Sequence, residues 1–330
     1  MKSTSFRAAA ALTASLMLAG CVTTQAGRIG MDDGRDACRA QLVALDSTGN
    51  FFGEDILRGA AVGALGGALI GGLASGRWEG ALIGAAVGAA AGGATGYFGA
   101  VQRQARDQAA VTAQIFNDLQ RENAELDRTQ VAFDQLLDCR YRAAENIRQG
   151  VRMGRISRDG AAAQLAEIRG RLTNDIALAR TINGRIGTRG AEFETAMDNV
   201  LPGGSNAIKN AVAERGRPVT ATVRRAVPVQ LTPQRGSVEV GRIAANESVT
   251  IRPGRDGLVR VETASGLRGF APADAFPASA VRGVGSQQAS LGQQDVRGLA
   301  ATNIARREGF NDSVGNAERL VQAGGFELAS

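Results

Sequence analysis

The 330-residue chain contains no histidine. That removes the Ser-His-Asp triad, the histidine general base and every histidine-ligated metal site. Aromatic residues make up only 4% of the chain, with a single tryptophan, Trp78. So little stacking surface, with arginines scattered and not gathered into a block, argues against nucleic acid as a partner. Despite 44 glycines there is no Walker loop and no G-x-G-x-x-G turn, so no phosphate-cradling cofactor site is implied. No metal or other cofactor is expected, and the chain reads as a non-enzymatic protein.

What is present begins with an address. Lys2 and Arg7 give a short positive start, and Ala8 to Leu18 run apolar apart from small hydroxyl residues. This layout is that of a secretory signal, and it is too short to span a bilayer, which takes about 20 residues. Leu18-Ala19-Gly20-Cys21 resembles the lipobox of bacterial lipoprotein precursors. The resemblance implies cleavage before Cys21, a diacylglycerol on its thiol and an acyl chain such as palmitate on the new amino group. Several chains together anchor a protein firmly, at about 0.8 kcal/mol per buried methylene. Position 22 is Val and not the Asp of an inner-membrane retention signal, so the expected location is the outer membrane, facing the periplasm. Removing residues 1–20 takes away Lys2 and Arg7 and lowers the formal charge from +6 to +4.

With Cys21 acylated, Cys38 and Cys139 remain as an even pair in an oxidising compartment, where a disulfide is the expected state. It can lie within one chain or link two; two buried thiols are the alternative. A straight helix from Gln102 would carry Cys139 about 56 Å away from the membrane. An intramolecular bond therefore requires that helix to lean, bend or begin well after Val101.

Residues 57–101 form a glycine block. Leu57 to Ser75 and Gly80 to Val101 contain 19 and 22 residues, helices of about 28 and 33 Å, against a hydrocarbon core of about 30 Å. The connector Ser75-Gly76-Arg77-Trp78-Glu79 carries the charges and tryptophan expected where a hairpin meets an interface. Glycines recur every fourth residue at Gly59, Gly63, Gly67, Gly71, Gly80, Gly84, Gly88, Gly92 and Gly96. Residues four apart share one ridge of a helix, so two backbones can approach closely there. The block resembles the glycine-zipper domain of bacterial surface-antigen lipoproteins. It is expected to be a two-helix membrane hairpin, with self-association outside lipid as the alternative.

Residues 102–200 turn polar and helical. Leu119, Leu126, Phe133 and Ile147 fall on a seven-residue grid broken by Arg140. Leu165, Leu172, Ala179, Ile186, Phe193 and Val200 form a second grid. Heptads predict a coiled-coil or antiparallel helical pair, with a break at residues 150–160 and Ser157 as a cap. Gly170, Gly184, Gly187 and Gly190 weaken the second helix.

After a linker at 201–219, residues 220–276 alternate apolar and polar positions (Val227/Val229/Leu231, Val238/Val240, Val249/Ile251, Val259/Val261) between glycines at 236, 241, 254, 257, 266 and 269. Five short strands in a small barrel are expected. Gly257-Leu258-Val259-Arg260-Val261, Gly266-Leu267-Arg268-Gly269-Phe270-Ala271-Pro272 and Phe276 are similar to the end of a bacterial SH3-like domain. That resemblance implies a module binding cell-wall peptides or proteins in an aromatic groove. Leu258 and Phe270 stand where the family has tryptophans, leaving Phe270 as the candidate ligand contact, or as core. Residues 277–330 read as a largely disordered tail with one helix at 296–307.

The expected architecture is thus multidomain α plus small β: signal 1–20, lipidated segment 21–56, glycine hairpin 57–101, helical region 102–200, linker, SH3-like barrel 220–276 and tail. The expected role is an outer-membrane lipoprotein presenting the module to peptidoglycan or another envelope protein. The alternative is a homo-oligomeric glycine-zipper assembly or pore in membrane lipid. No segment remains for a catalytic domain.

Overall fold

A computed structural model describes residues 24–49, 51, 96–234, 236–284, 294–323 and 326. Cys21 and the glycines from Gly59 to Gly92 lie outside the described residues, as does the signal segment. Among the described residues no helix is long and apolar enough to cross a membrane. The fold is mostly helical, with a six-stranded antiparallel sheet toward the C-terminal end.

A one-turn helix α1 (Gln25–Ile29) is capped by Thr24, whose hydroxyl accepts from Gly27 N at 3.1 Å. Helix α2 covers residues 39–49, and α3 (Tyr97–Gln104) takes in the last residues of the glycine block. The chain turns at residues 105–107 into α4 (Gln108–Arg152), 45 residues capped by the Asp107 carboxylate on Ala110 N at 2.8 Å. Such a helix is about 68 Å long. A turn through Gly154, at φ 68°, reverses the chain into α5 (Arg158–Val200), where Ser157 caps Gly160 N at 3.2 Å.

The heptad positions explain why α4 and α5 pack. Leu119, Leu126 and Phe133 on α4 and Leu165, Leu172, Ala179, Ile186 and Phe193 on α5 are buried. Burying a Leu, Ile or Phe side chain stabilises by about 1.5–3 kcal/mol. Gly170, Gly184 and Gly187 face open space, whereas a side chain at Gly190 would strike the Arg307 guanidinium. The linker reading gives way to a helix α6 (Gly204–Arg215), which buries Ile208 and Val212.

The tail reading also needs correction. After α7 (Ala278–Val284), α8 (Val296–Gln322) runs 27 residues and completes a three-helix bundle with α4 and α5. Leu299, Ile304, Phe310, Val314 and Ala317 are buried, and Phe310 meets Phe133 edge-on at 5.7 Å. Phe310, Val314 and Ala317 are spaced as one helical face. The polar, glycine-interrupted composition around Gly298, Gly309 and Gly315 masks that face. The helical pair is therefore a triple, and its third member comes from beyond the sheet.

The sheet contains β1 (Val219–Thr222), β2 (Val227–Gln230), β3 (Glu239–Ile243), β4 (Ser248–Arg252), β5 (Leu258–Thr263) and β6 (Arg268–Pro272), in the order β1-β4-β5-β6-β2-β3. The strand missing from the five-strand expectation is β1, whose short Val-Thr-Ala-Thr run buries only Ala221. One face packs Val229, Ile243, Val249, Ile251, Val261 and Phe276 into a core. Not every glycine marks a turn. Gly236, Gly257 and Gly266 have positive φ, but Gly269 lies inside β6, where a Cβ would collide with the Gln230 carbonyl of β2. It allows the close approach that pairs Gln230 with Phe270.

Candidate functional site

Two aspartates one turn apart on α4 hold the sheet against the bundle. Asp138 accepts hydrogen bonds from Ser237 Oγ at 2.7 Å, Thr232 Oγ1 at 3.1 Å and Val238 N at 3.2 Å. Asp134 accepts from Gln130 Nε2 and from Arg255, both at 2.8 Å. Burial pushes the Asp134 carboxyl up to about 7, outweighing the opposing pull of Arg255 and Gln130. Farther along α4, Arg142 donates to Gly236 O at 2.8 Å. Arg260 on β5 reaches across to Asp312 on α8.

These contacts leave a cleft between the outer face of the sheet and the helices. Strand alternation sends Thr250, Arg252, Arg260, Glu262, Arg268 and Phe270 to that face, opposite the core residues of the same strands. Asp134, Asp312, Asn316 and Arg319 line the other wall, around a volume of about 220 Å³. A smaller hollow of about 60 Å³ shares Arg260 and Phe270 and runs on toward Asp127 and Arg306. Phe270 is half-buried at the junction of the two, with the Arg260 guanidinium 5.9 Å from its ring centroid. The candidate ligand contact thus lines an open cleft and is absent from the sheet's buried core.

Cys38 and Cys139 are joined in one chain, with an S–S distance of 2.02 Å and 101 residues of separation. The chain meets the geometric condition for this bond because α4 begins only at Gln108 and α2 folds back onto the bundle. Beside the bond lies a cluster that heptad reasoning misses. Arg140 interrupts the α4 grid because it is a buried ion: it pairs with Asp175 on α5 at 2.7 Å and with Asp36. Burial works against the Arg140 charge, but the bonds to Asp36 and Asp175 raise its pKa. Asp175 is itself pushed up by burial. The signal in the sequence is an arginine on an apolar grid position, next to a cysteine.

The described segments flanking the glycine block meet the same stretch of α5. Arg185 donates to Gly49 O at 3.0 Å, and Ile182 fills the space at Gly49. At the end of the block Gly96 precedes α3 in open space, and Val101 is buried in the bundle core, so the expected second hairpin helix does not run on through lipid to Val101. The Tyr97 ring lies 5.1 Å from Phe193, and its hydroxyl donates to Asp118 at 2.7 Å. Ile182 to Phe193 is about 17 Å of helix. Near the amino-terminal side, Arg28 pairs with Asp46 at 2.7 Å and lowers the pKa of Arg185, where burial is the larger cause.

Among the described residues no group of three acidic or cysteine side chains can hold a metal ion. The cleft can bind and orient a ligand through charge, hydrogen bonds and one aromatic face. No curated protein and no solved structure matches the chain. The YMGG-like Gly-zipper family model matches residues 37–100, about a fifth of the chain, and this match is compatible with a membrane-associated envelope protein.

Proposed function

We propose that the protein is a non-enzymatic lipoprotein of the outer membrane that holds an SH3-like binding module toward the periplasm. The carrying observation is the glycine-zipper match at residues 37–100, on a block whose two flanks meet α5 within about 17 Å of each other. Neighbouring feet are what a membrane hairpin requires. Lipid on Cys21, only three residues before the α1 cap Thr24, then supplies a second anchor. The SH3-like reading of the sheet rests on the residues of β5 and β6 and on the short 3₁₀ turn Ala273–Ala275 that closes them before the buried Phe276. On this reading the bundle is the scaffold that joins anchor and module: Asp138 holds the sheet beside Cys139, whose disulfide to Cys38 ties in the segment that follows Cys21.

Purified peptidoglycan sacculi incubated with the full chain in detergent test the binding role. Co-sedimentation that saturates supports wall binding, and a chain left wholly in the supernatant removes it. The zipper match also suits a homo-oligomeric membrane assembly. That reading predicts a crosslinking ladder in membranes that Gly84→Leu with Gly88→Leu abolishes, and a monomer alone refutes it.

A further inference from the structure

We propose that the cleft between the sheet and α8 binds a carboxylate-bearing ligand of one or two amino-acid residues, gripped by Arg252 and Arg319 across the Phe270 ring. This names the ligand chemistry of the module proposed above and rests on the reading of the sheet as a binding module, not on how the chain is anchored.

The two hollows together are lined by four acids and six arginines. Each acid has its own partner: Asp127 with Arg306 at 2.6 Å, Asp134 with Arg255 at 2.8 Å, Asp312 with Arg260, and Glu262 with Arg268. Six minus four leaves two. Arg252 on β4 and Arg319 on α8 form no ion pair among the described residues, and both line the larger hollow from opposite walls. Guanidinium stays charged at every accessible pH and presents a planar fork that matches a carboxylate. Two such forks at one hollow, with no ion-paired carboxylate and only the neighbouring Glu318 acting on Arg319, favour an anionic occupant.

The surroundings narrow the chemistry. Glu262, Asp312 and Asp134 stand in the same hollow but are already ion-paired, and an inorganic phosphate has no apolar part to lay against Phe270. Thr250, Ser313 and Asn316 offer neutral hydrogen bonds suited to an amide. Phe270 offers an apolar face, so the occupant carries a small apolar part beside its carboxylate. The volume of about 220 Å³ falls below the range of about 300–1,000 Å³ typical of drug-sized sites. It suits the end of a peptide or a small dicarboxylate, and is too small for a folded partner.

Calorimetric titration of the full chain in detergent micelles tests this with four probes: acetyl-Ala-Glu, its diamide, glutarate and inorganic phosphate. Acetyl-Ala-Glu should bind, and its diamide and phosphate should not. Glutarate binding as tightly identifies a free dicarboxylate as the source, and weaker binding identifies a peptide. Arg252→Gln or Arg319→Gln should each weaken acetyl-Ala-Glu by about tenfold and the pair should abolish binding, in line with the strength of charge-assisted bonds. Both positions are exposed, so circular dichroism should stay unchanged. Phe270→Ala should weaken acetyl-Ala-Glu more than glutarate. Equal binding of the diamide, no binding of either carboxylate, or binding that survives the double substitution overturns the site. Wall retention by the unaltered chain, with no carboxylate binding, removes the site and leaves the wall reading intact. Carboxylate binding without wall retention does the reverse.

Discussion

Ser237 donates its hydroxyl hydrogen to the Asp138 carboxylate at 2.7 Å, across 99 residues of sequence. Both residues are buried, and the same carboxylate takes Thr232 and the Val238 amide. One side chain on α4 therefore satisfies three donors of the sheet. Asp138→Ala should leave those donors without partners, at about 1–3 kcal/mol for an unsatisfied buried group. The expected result is faster hydrogen exchange at Val238 and earlier proteolysis within residues 231–238, with the bundle's own melting less affected.

Asp134 makes the same junction pH-dependent. Its folded pKa of about 7 lies above the ordinary 3.8. Below about pH 4 the carboxyl is protonated whether the chain is folded or unfolded. Between about 4 and 7 the unfolded chain releases the proton and the folded chain keeps it, so this group's contribution to stability falls as pH rises. The fall is about 4 kcal/mol at most. Melting curves from pH 4 to 8 should show a downward slope that Asp134→Asn flattens. The comparison with that variant matters because Asp36 and Glu194, both held low, slope the other way.

The Cys38–Cys139 bond closes a loop that contains the whole glycine block. Constraining about 100 residues stabilises a fold by about 4.7 kcal/mol on the chain-entropy account. Cys38→Ser with Cys139→Ser should therefore lower the denaturant midpoint markedly. On a non-reducing gel the unaltered chain should run as a compact monomer, and a dimer that reductant dissolves would place the bond between chains.

Gly269→Ala should separate β6 from β2, because the new methyl meets the Gln230 carbonyl and sits 2.6 Å from Val229 Cγ1. Overpacking of this kind costs about 1–3 kcal/mol. Loss of amide protection at β2 and of carboxylate binding beside Phe270 should appear together. Gly170→Ala, which meets nothing, should instead stabilise α5 by about 1 kcal/mol.

Periodicity made the framework legible. The seven-residue grids locate α4 and α5, the two-residue alternation locates four of the six strands, and the Gly266–Pro272 resemblance supplies β6. Periodicity fails where tertiary contacts decide. The apolar face of α8 is diluted by glycines and arginines, and it becomes a core element only because Phe133 and Leu137 of α4 await it. Arg140 looks like a break in a helix until Asp36 arrives from a segment 104 residues away. The cleft shows the same division. Strand alternation places Arg252, Arg260 and Phe270 on one face, but only α8 supplies the opposing Arg319 and turns that face into a site.

Mass spectrometry of the mature N-terminus from membranes of expressing cells tests the central claim most directly. The expected result is a chain beginning at Cys21 with acyl mass added, sedimenting with the outer membrane and lost from it in Cys21→Ala. An unmodified chain beginning at Met1, in the soluble fraction, would contradict it.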